Sequence, residues 1–149
     1  MRAVVQRALR ATVEVDGRLV GALNEPGLCV FLGVTHTDDS ATAARMADKL
    51  LDLRILRDDR SAAQVGAPLL VVSQFTVYGD TRKGRRPTWT AAAPGHVAEP
   101  LVDHVVSTLR DRGATVATGR FGATMQVDVV NDGPVTVIVD VDAARPPSR

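Results

Sequence analysis

The sequence predicts an α/β (α+β-like) domain on a mainly antiparallel or mixed sheet with two principal helices. Three observations carry this. The first third of the chain reads as short apolar strands separated by turn residues, two later stretches shift to the helical period, and strands return after the second. A β-meander at the start does not supply the crossovers of a doubly wound fold, so the sheet is not all-parallel. With 149 residues, 45% of them hydrophobic, the chain holds one compact domain and is too short for two comfortable ones. We place that domain at residues 1–142 and a frayed, Pro-rich tail, "AARPPSR", at 143–149.

The elements follow in order. "RAVVQRA", "TVEVD", "RLVGAL" and "LCVFLGV" are expected as four strands, with turns at Asp16-Gly17 and Pro26-Gly27. "TDDSATAARMADKLLDLRIL" is expected to be helical, capped by Asp38, Asp39 or Ser40, with Ala43, Met46, Ala47 and Leu50 on one face. "RDDRSAAQVGAP" reads as an irregular polar loop. "LLVVSQF" is almost wholly apolar, as a strand in the middle of a sheet is. From about Pro94 to Arg112 an apolar stripe of Ala98, Leu101, Val102, Val105, Val106 and Leu109 marks the second helix, and Gly113 suits its exit. "ATVATGRF", "MQVDVVN" and "VTVIVDV" close the chain as strands, the last two joined by a tight turn at Asn131 to Pro134.

Composition removes several function classes. No window approaches the ~18 apolar residues of a membrane-spanning helix, and the charged N-terminus lacks a signal-peptide block, so a cytoplasmic protein is expected. Cys29 is alone and lies in an apolar run, which points to burial. Net charge is +1, so any nucleic-acid contact must come from a local patch. Nucleophile-elbow, P-loop, dinucleotide-binding and zinc signatures are all absent, and His36, His96 and His104 are too scattered to suggest a metal site. No cofactor is expected.

Two stretches remain. In "SQFTVYGD" an apolar strand runs into Ser73, Gln74, Phe75 and Thr76, where N–H groups released from the ladder can face a carbonyl oxygen; an ordinary strand end with local hydroxyl bonds fits the residues too. "TRKGRRP" follows at once, a cationic loop of Arg82, Lys83, Arg85 and Arg86 with Trp89 beyond it as a surface on which a base can stack. In "NDGPVT", Gly133 lacks a Cβ and Pro134 fixes φ, so a carbonyl there can approach a ligand closely; a plain hairpin turn is the alternative.

Together, "SQFTVYGDTRKGRRPTW" and "FGATMQVDVVNDGPVT", in that order after "MRAVVQRALRATVEV", resemble the D-aminoacyl-tRNA deacylase family over nearly the whole chain. The resemblance implies that family's fold, with barrel-like sheets. It also implies hydrolysis of the ester linking a D-amino acid to the terminal adenosine of tRNA, and of glycine mischarged on tRNA-Ala. A homodimer is implied, in which the Gly-Pro of one subunit enters the active site of the other. On this chain Gly133 and Pro134 become a cis-linked chirality gate, steadied by Arg7. Ser73, Gln74 and Val77 line the pocket, and the N–H groups of Phe75 and Thr76 hold the ester carbonyl. Thr136 is the family's candidate nucleophile; a backbone site assisted by the ribose 2′-OH is the reading preferred here. Arg82, Lys83, Arg85, Arg86 and Trp89 form the tRNA-binding surface.

The physics agrees with this on one point. An enzyme that accepts many D side chains and rejects L ones cannot select through a side-chain pocket, whereas rigid backbone can read the chiral centre. An aminoacyl ester is already reactive, so positioning and oxyanion stabilisation suffice. Two other readings use the same residues: an RNA-end binding module without turnover, and a small-ester hydrolase with Thr76 or Thr136 as nucleophile. The chain departs from the family at residues 57–68, where a longer segment is usual.

Overall fold

In the computed structural model, which describes residues 1–144, a 14-residue strand β1 (Arg2–Val15) organises the sheet. "RAVVQRA" and "TVEVD" are therefore one strand and not two. The residues between them contain no Gly, Pro, Asn or Asp to break the chain, and Ala8, Ala11 and Val13 stay buried along it. Along one edge of β1, its first half pairs antiparallel with β3 (Gly27–Gly33) and its second half with β2 (Arg18–Leu23). β4 (Leu69–Ser73) lies between β3 and β5 (Val116–Thr118), parallel to both. The expected mixed sheet is observed, with β4 in a central place. Gly21 of β2 then meets the Thr118 carbonyl of β5 so closely that no Cβ would fit, and the six-stranded sheet nearly closes into a barrel.

Burial on both faces explains why β3 and β4 are apolar throughout. Leu28, Val30, Leu32, Leu69 and Val71 face a core shared with the helices, while Cys29, Leu70 and Val72 face a smaller core with Ala11, Val13 and Leu23. The helix layer is α1 (Ser40–Asp52) against α3 (Gly95–Asp111), both close to expectation. Asp39 is the residue that caps α1, its carboxylate accepting from Thr42 N at 2.8 Å. "RDDRSAAQVGAP" is more ordered than expected. It holds a 3₁₀ turn at Arg57–Asp59 and a short α2 (Ala62–Val65), which Ser61 and Gln64 start through a reciprocal capping box.

β6 (Gln126–Asp140) corrects a second expectation. "MQVDVVN" and "VTVIVDV" are not a hairpin, because both halves pair antiparallel with the remaining edge of β1. Gln6 faces Thr136 and Ala8 faces Asn131, so residues 132–135 are looped out opposite Arg7 alone. The turn residues produce a wide bulge within one strand. Of the expected tail at 143–149, residues 145–149 lie outside the described residues. No described helix is long and apolar enough to cross a membrane.

Candidate active site

β3 and β4 run parallel and end at the same rim, the position where parallel strands leave room for a ligand beyond their carboxyl ends. A cavity of about 810 Å³ opens there. One wall is Ser73, Gln74, Phe75 and Thr76. Past Ser73 the chain does not fray as expected; it turns into a 3₁₀ helix, Phe75–Tyr78. Gln74 N–H donates to Leu32 O at 2.8 Å, and the turn's own bonding starts only with Val77 N–H to Gln74 O at 3.5 Å. Phe75 and Thr76 N–H thus precede the first donor used by the turn, and helix starts leave such groups free for a ligand. Gly33 makes this possible. A Cβ there would collide with Val77 and stand 3.1 Å from Gln74 O, so the turn can fold back over β3 only because residue 33 has no side chain.

The opposite wall was not legible as a site. Phe121 and Met125, between β5 and β6, and Ala98 and Val102 of α3 complete the cavity. The only advance signal was a glycine-containing apolar connection, "RFGATM", between two strands. Val77 packs toward Gly33 and does not line the cavity. Gln74 Nε2 donates to Thr76 Oγ1 at 2.8 Å.

Beside the cavity, Phe75 and Trp89 meet edge to face with centroids 5.4 Å apart, both largely exposed. His36 holds the Trp89 segment by a 2.7 Å bond to Thr90 O, and Thr35 Oγ1 adds one of 2.6 Å to Ala91 O. Paired backbone bonds between Asp80 and Thr88, 2.9 and 3.0 Å, close the basic loop. Within it Arg82 is committed to Asp80 at 2.6 Å and holds that carboxyl down at about 2, through its hydrogen bonds first. Lys83, Arg85 and Arg86 are exposed.

A second group forms around the bulge. Gly133–Pro134 is cis, and Gly133 has φ +131°, which glycine alone adopts readily. Both residues are exposed. Arg7 Nε donates to Asp132 O at 2.9 Å and Arg7 Nη1 to Ile55 O at 3.2 Å, while a Cβ on Gly133 would lie 2.9 Å from Arg7 Nη2. Thr136 Oγ1 accepts from Gln6 Nε2 at 3.2 Å and Asn131 Nδ2 at 2.7 Å. Within one chain, then, Arg7, Gly133, Pro134 and Thr136 do not line the cavity that Ser73 to Thr76 line.

At the rim of a nearly closed mixed sheet, then, lies a largely apolar cavity whose lining, among the described residues, includes no charged side chain. The comparisons give its family. The family model described as D-Tyr-tRNA(Tyr) deacylase matches residues 4–140. The chain is 65% identical to D-aminoacyl-tRNA deacylase of Thermobifida fusca and 64% identical to that of Streptomyces coelicolor, in each case over 95% of this chain and 100% of the relative. A solved structure described as c-Myc DNA Unwinding Element Binding Protein superposes with a TM-score of 0.89 at 36% identity, over 96% of this chain and all of that one. A probable eukaryotic D-amino acid tRNA deacylase shares the fold, with a TM-score of 0.81 at 16% identity over 94% of this chain and 98% of that one. The chain belongs to the D-Tyr-tRNA(Tyr) deacylase family and is an enzyme of the D-aminoacyl-tRNA deacylase class, a hydrolase of carboxylic ester bonds.

Proposed function

We propose that the enzyme is a cytoplasmic chiral proofreader of translation that cleaves D-aminoacyl-tRNA, and glycine mischarged on tRNA-Ala, as a homodimer. The observation that carries this is the split of the site residues into two groups within one chain. The exposed Gly133–Pro134 bulge does not line its own chain's cavity, and in this reading it serves the cavity of a second copy, where its main-chain carbonyls exclude an L side chain. Ile138, 67% exposed on β6 near the bulge, is apolar surface that such a partner would cover. The cavity takes the terminal adenosine and the aminoacyl group, with Ser73 and Gln74 at its wall. The basic loop and Trp89 hold the end of the tRNA.

In this mechanism the ester carbonyl oxygen sits at Phe75 and Thr76 N–H, which stabilise the oxyanion as water attacks. The ribose 2′-OH assists. Thr136 is a poor nucleophile in this setting. Its oxygen already accepts two amide bonds, and neither donor is a base that could take its proton. Thr76 is likewise engaged by Gln74 and not by a carboxylate or imidazole.

Deacylation of D-tyrosyl-tRNA and L-tyrosyl-tRNA in parallel, with chelator present, tests the reading. Loss of the D ester alone is the expected result. Thr136→Ala should keep substantial turnover, whereas its complete loss with the fold intact would return the hydroxyl to the role of nucleophile. Binding of tRNA without cleavage of either ester would leave an RNA-end binding module.

A further inference from the structure

The segment at residues 57–68 begins beside the bulge. Arg57 is the first residue of the 3₁₀ turn, and its Nη2 donates to Asp132 Oδ1 at 2.6 Å. The other carboxylate oxygen of Asp132 lies 3.4 Å from Arg7 Nε, which also donates to the Asp132 carbonyl at 2.9 Å. The residue before Gly133 is thereby held through its side chain and its main chain at once. The turn itself is braced. Leu56 N–H donates to Arg60 O at 3.0 Å, and Arg54 Nε donates to Asp59 O at 2.7 Å. Ile55 O receives Arg7 Nη1, so residues 55–57 contribute two of the contacts that fix the bulge.

From this geometry we infer that Arg57 is a positioning residue for chiral selection. It sets the Gly133–Pro134 carbonyls by pinning Asp132, and it makes the short 55–60 turn part of the gate. The inference rests on the gate reading above. Arg7 alone can hold Asp132 O while leaving the carboxylate, whose side chain is 10% exposed, a single long contact at 3.4 Å. Arg57 supplies the short one. Its own side chain is 70% exposed, so it contributes little to the core, and losing it should loosen the bulge more than the fold. An L-aminoacyl ester is rejected only while the carbonyls stay in place, and movement of about 1 Å is enough to relax selection of this kind.

The test compares wild type, Arg57→Ala and Arg57→Lys by the ratio of D-tyrosyl-tRNA to L-tyrosyl-tRNA deacylation rates, with melting temperature alongside. Because both esters share one tRNA, the phosphate-binding contribution cancels in the ratio. The expected result is a ratio about five- to tenfold lower in Arg57→Ala, the range for a charge-assisted bond with one exposed partner. Melting should fall by no more than about 4 °C, and Arg57→Lys should recover most of the ratio. Raising salt should lower the ratio in wild type and leave Arg57→Ala unchanged, since the exposed guanidinium is screened. A selective wild type with the same ratio in Arg57→Ala overturns this inference alone, whatever the melting temperature does. A wild type that cleaves both esters alike overturns the gate reading, and this inference with it.

Discussion

Burial pushes the Cys29 thiol from its ordinary 9.0 up to about 12 in the middle of β3. Its charged form is disfavoured in the folded chain, so unfolding releases a proton at any pH between those values. Folding stability due to this group is fully present below about pH 9 and falls as pH rises toward 12, by up to about 1.4 kcal/mol per unit. Urea midpoints at pH 8, 9, 10 and 11 should show that decline, and Cys29→Ala should flatten part of it; Tyr78, also raised by burial, contributes at the upper end. A profile identical in the two proteins would mean the thiol is not sealed from water. The same residue-scale reading separates what the sequence could and could not announce. Burial of Cys29 was legible from its apolar run. The buried pairing of the Met1 ammonium with Asp38 at 2.6 Å was not, because Asp38 reads locally as one of three cap candidates and its partner lies 37 residues away. Asp132 likewise read as a turn residue, since nothing local names Arg7 or Arg57 as its partners.

At the scale of elements, the long strands were the hardest to read. Turn chemistry at Asn131 to Pro134 describes a local chain reversal, but pairing with β1 on both sides of it outweighs that preference and leaves a bulge. The second expected helix, α3, was read nearly to the residue and α1 correctly at its start, because an apolar stripe and a capping Asp are local signals, whereas α1 ends at Asp52, four residues short of the expected stretch. Gly21 is an intermediate case. An isolated glycine inside a strand signals close backbone approach, yet only the fold shows that β5 is what approaches. Val13 faces Gly21 and Glu14 faces Leu19, so a bulge at Val20 turns β2 toward β5 at that point. Gly21→Ala should drive a methyl group into the Thr118 carbonyl and cost about 1–3 kcal/mol by urea unfolding. A neutral Gly21→Ala would show that the barrel does not close there.

Over the whole molecule, 18 basic residues nearly cancel 17 acidic ones, and attraction for a polyanion must come from where the charges sit. The loop closed by the Asp80–Thr88 bridge presents Lys83, Arg85 and Arg86 without a carboxylate partner among the described residues, whereas Arg82 is spent on Asp80. It adjoins the cavity through Trp89 and Phe75, an arrangement suited to a single-stranded end whose phosphates meet the loop while a base meets the aromatic pair. Each phosphate neutralised on a single strand contributes about 0.7 to the slope of log affinity against log salt. Replacing Lys83, Arg85 and Arg86 together by Ala should therefore flatten that slope by about 2 for tRNA, and Arg82→Ala should change it less. Turnover at saturating tRNA should hardly move, because the N–H groups that the proposed mechanism uses, at Phe75 and Thr76, lie outside the loop. An unchanged slope in the triple variant would mean that tRNA approaches the cavity over a different face, and the exposed loop would then be no more than a solvated turn.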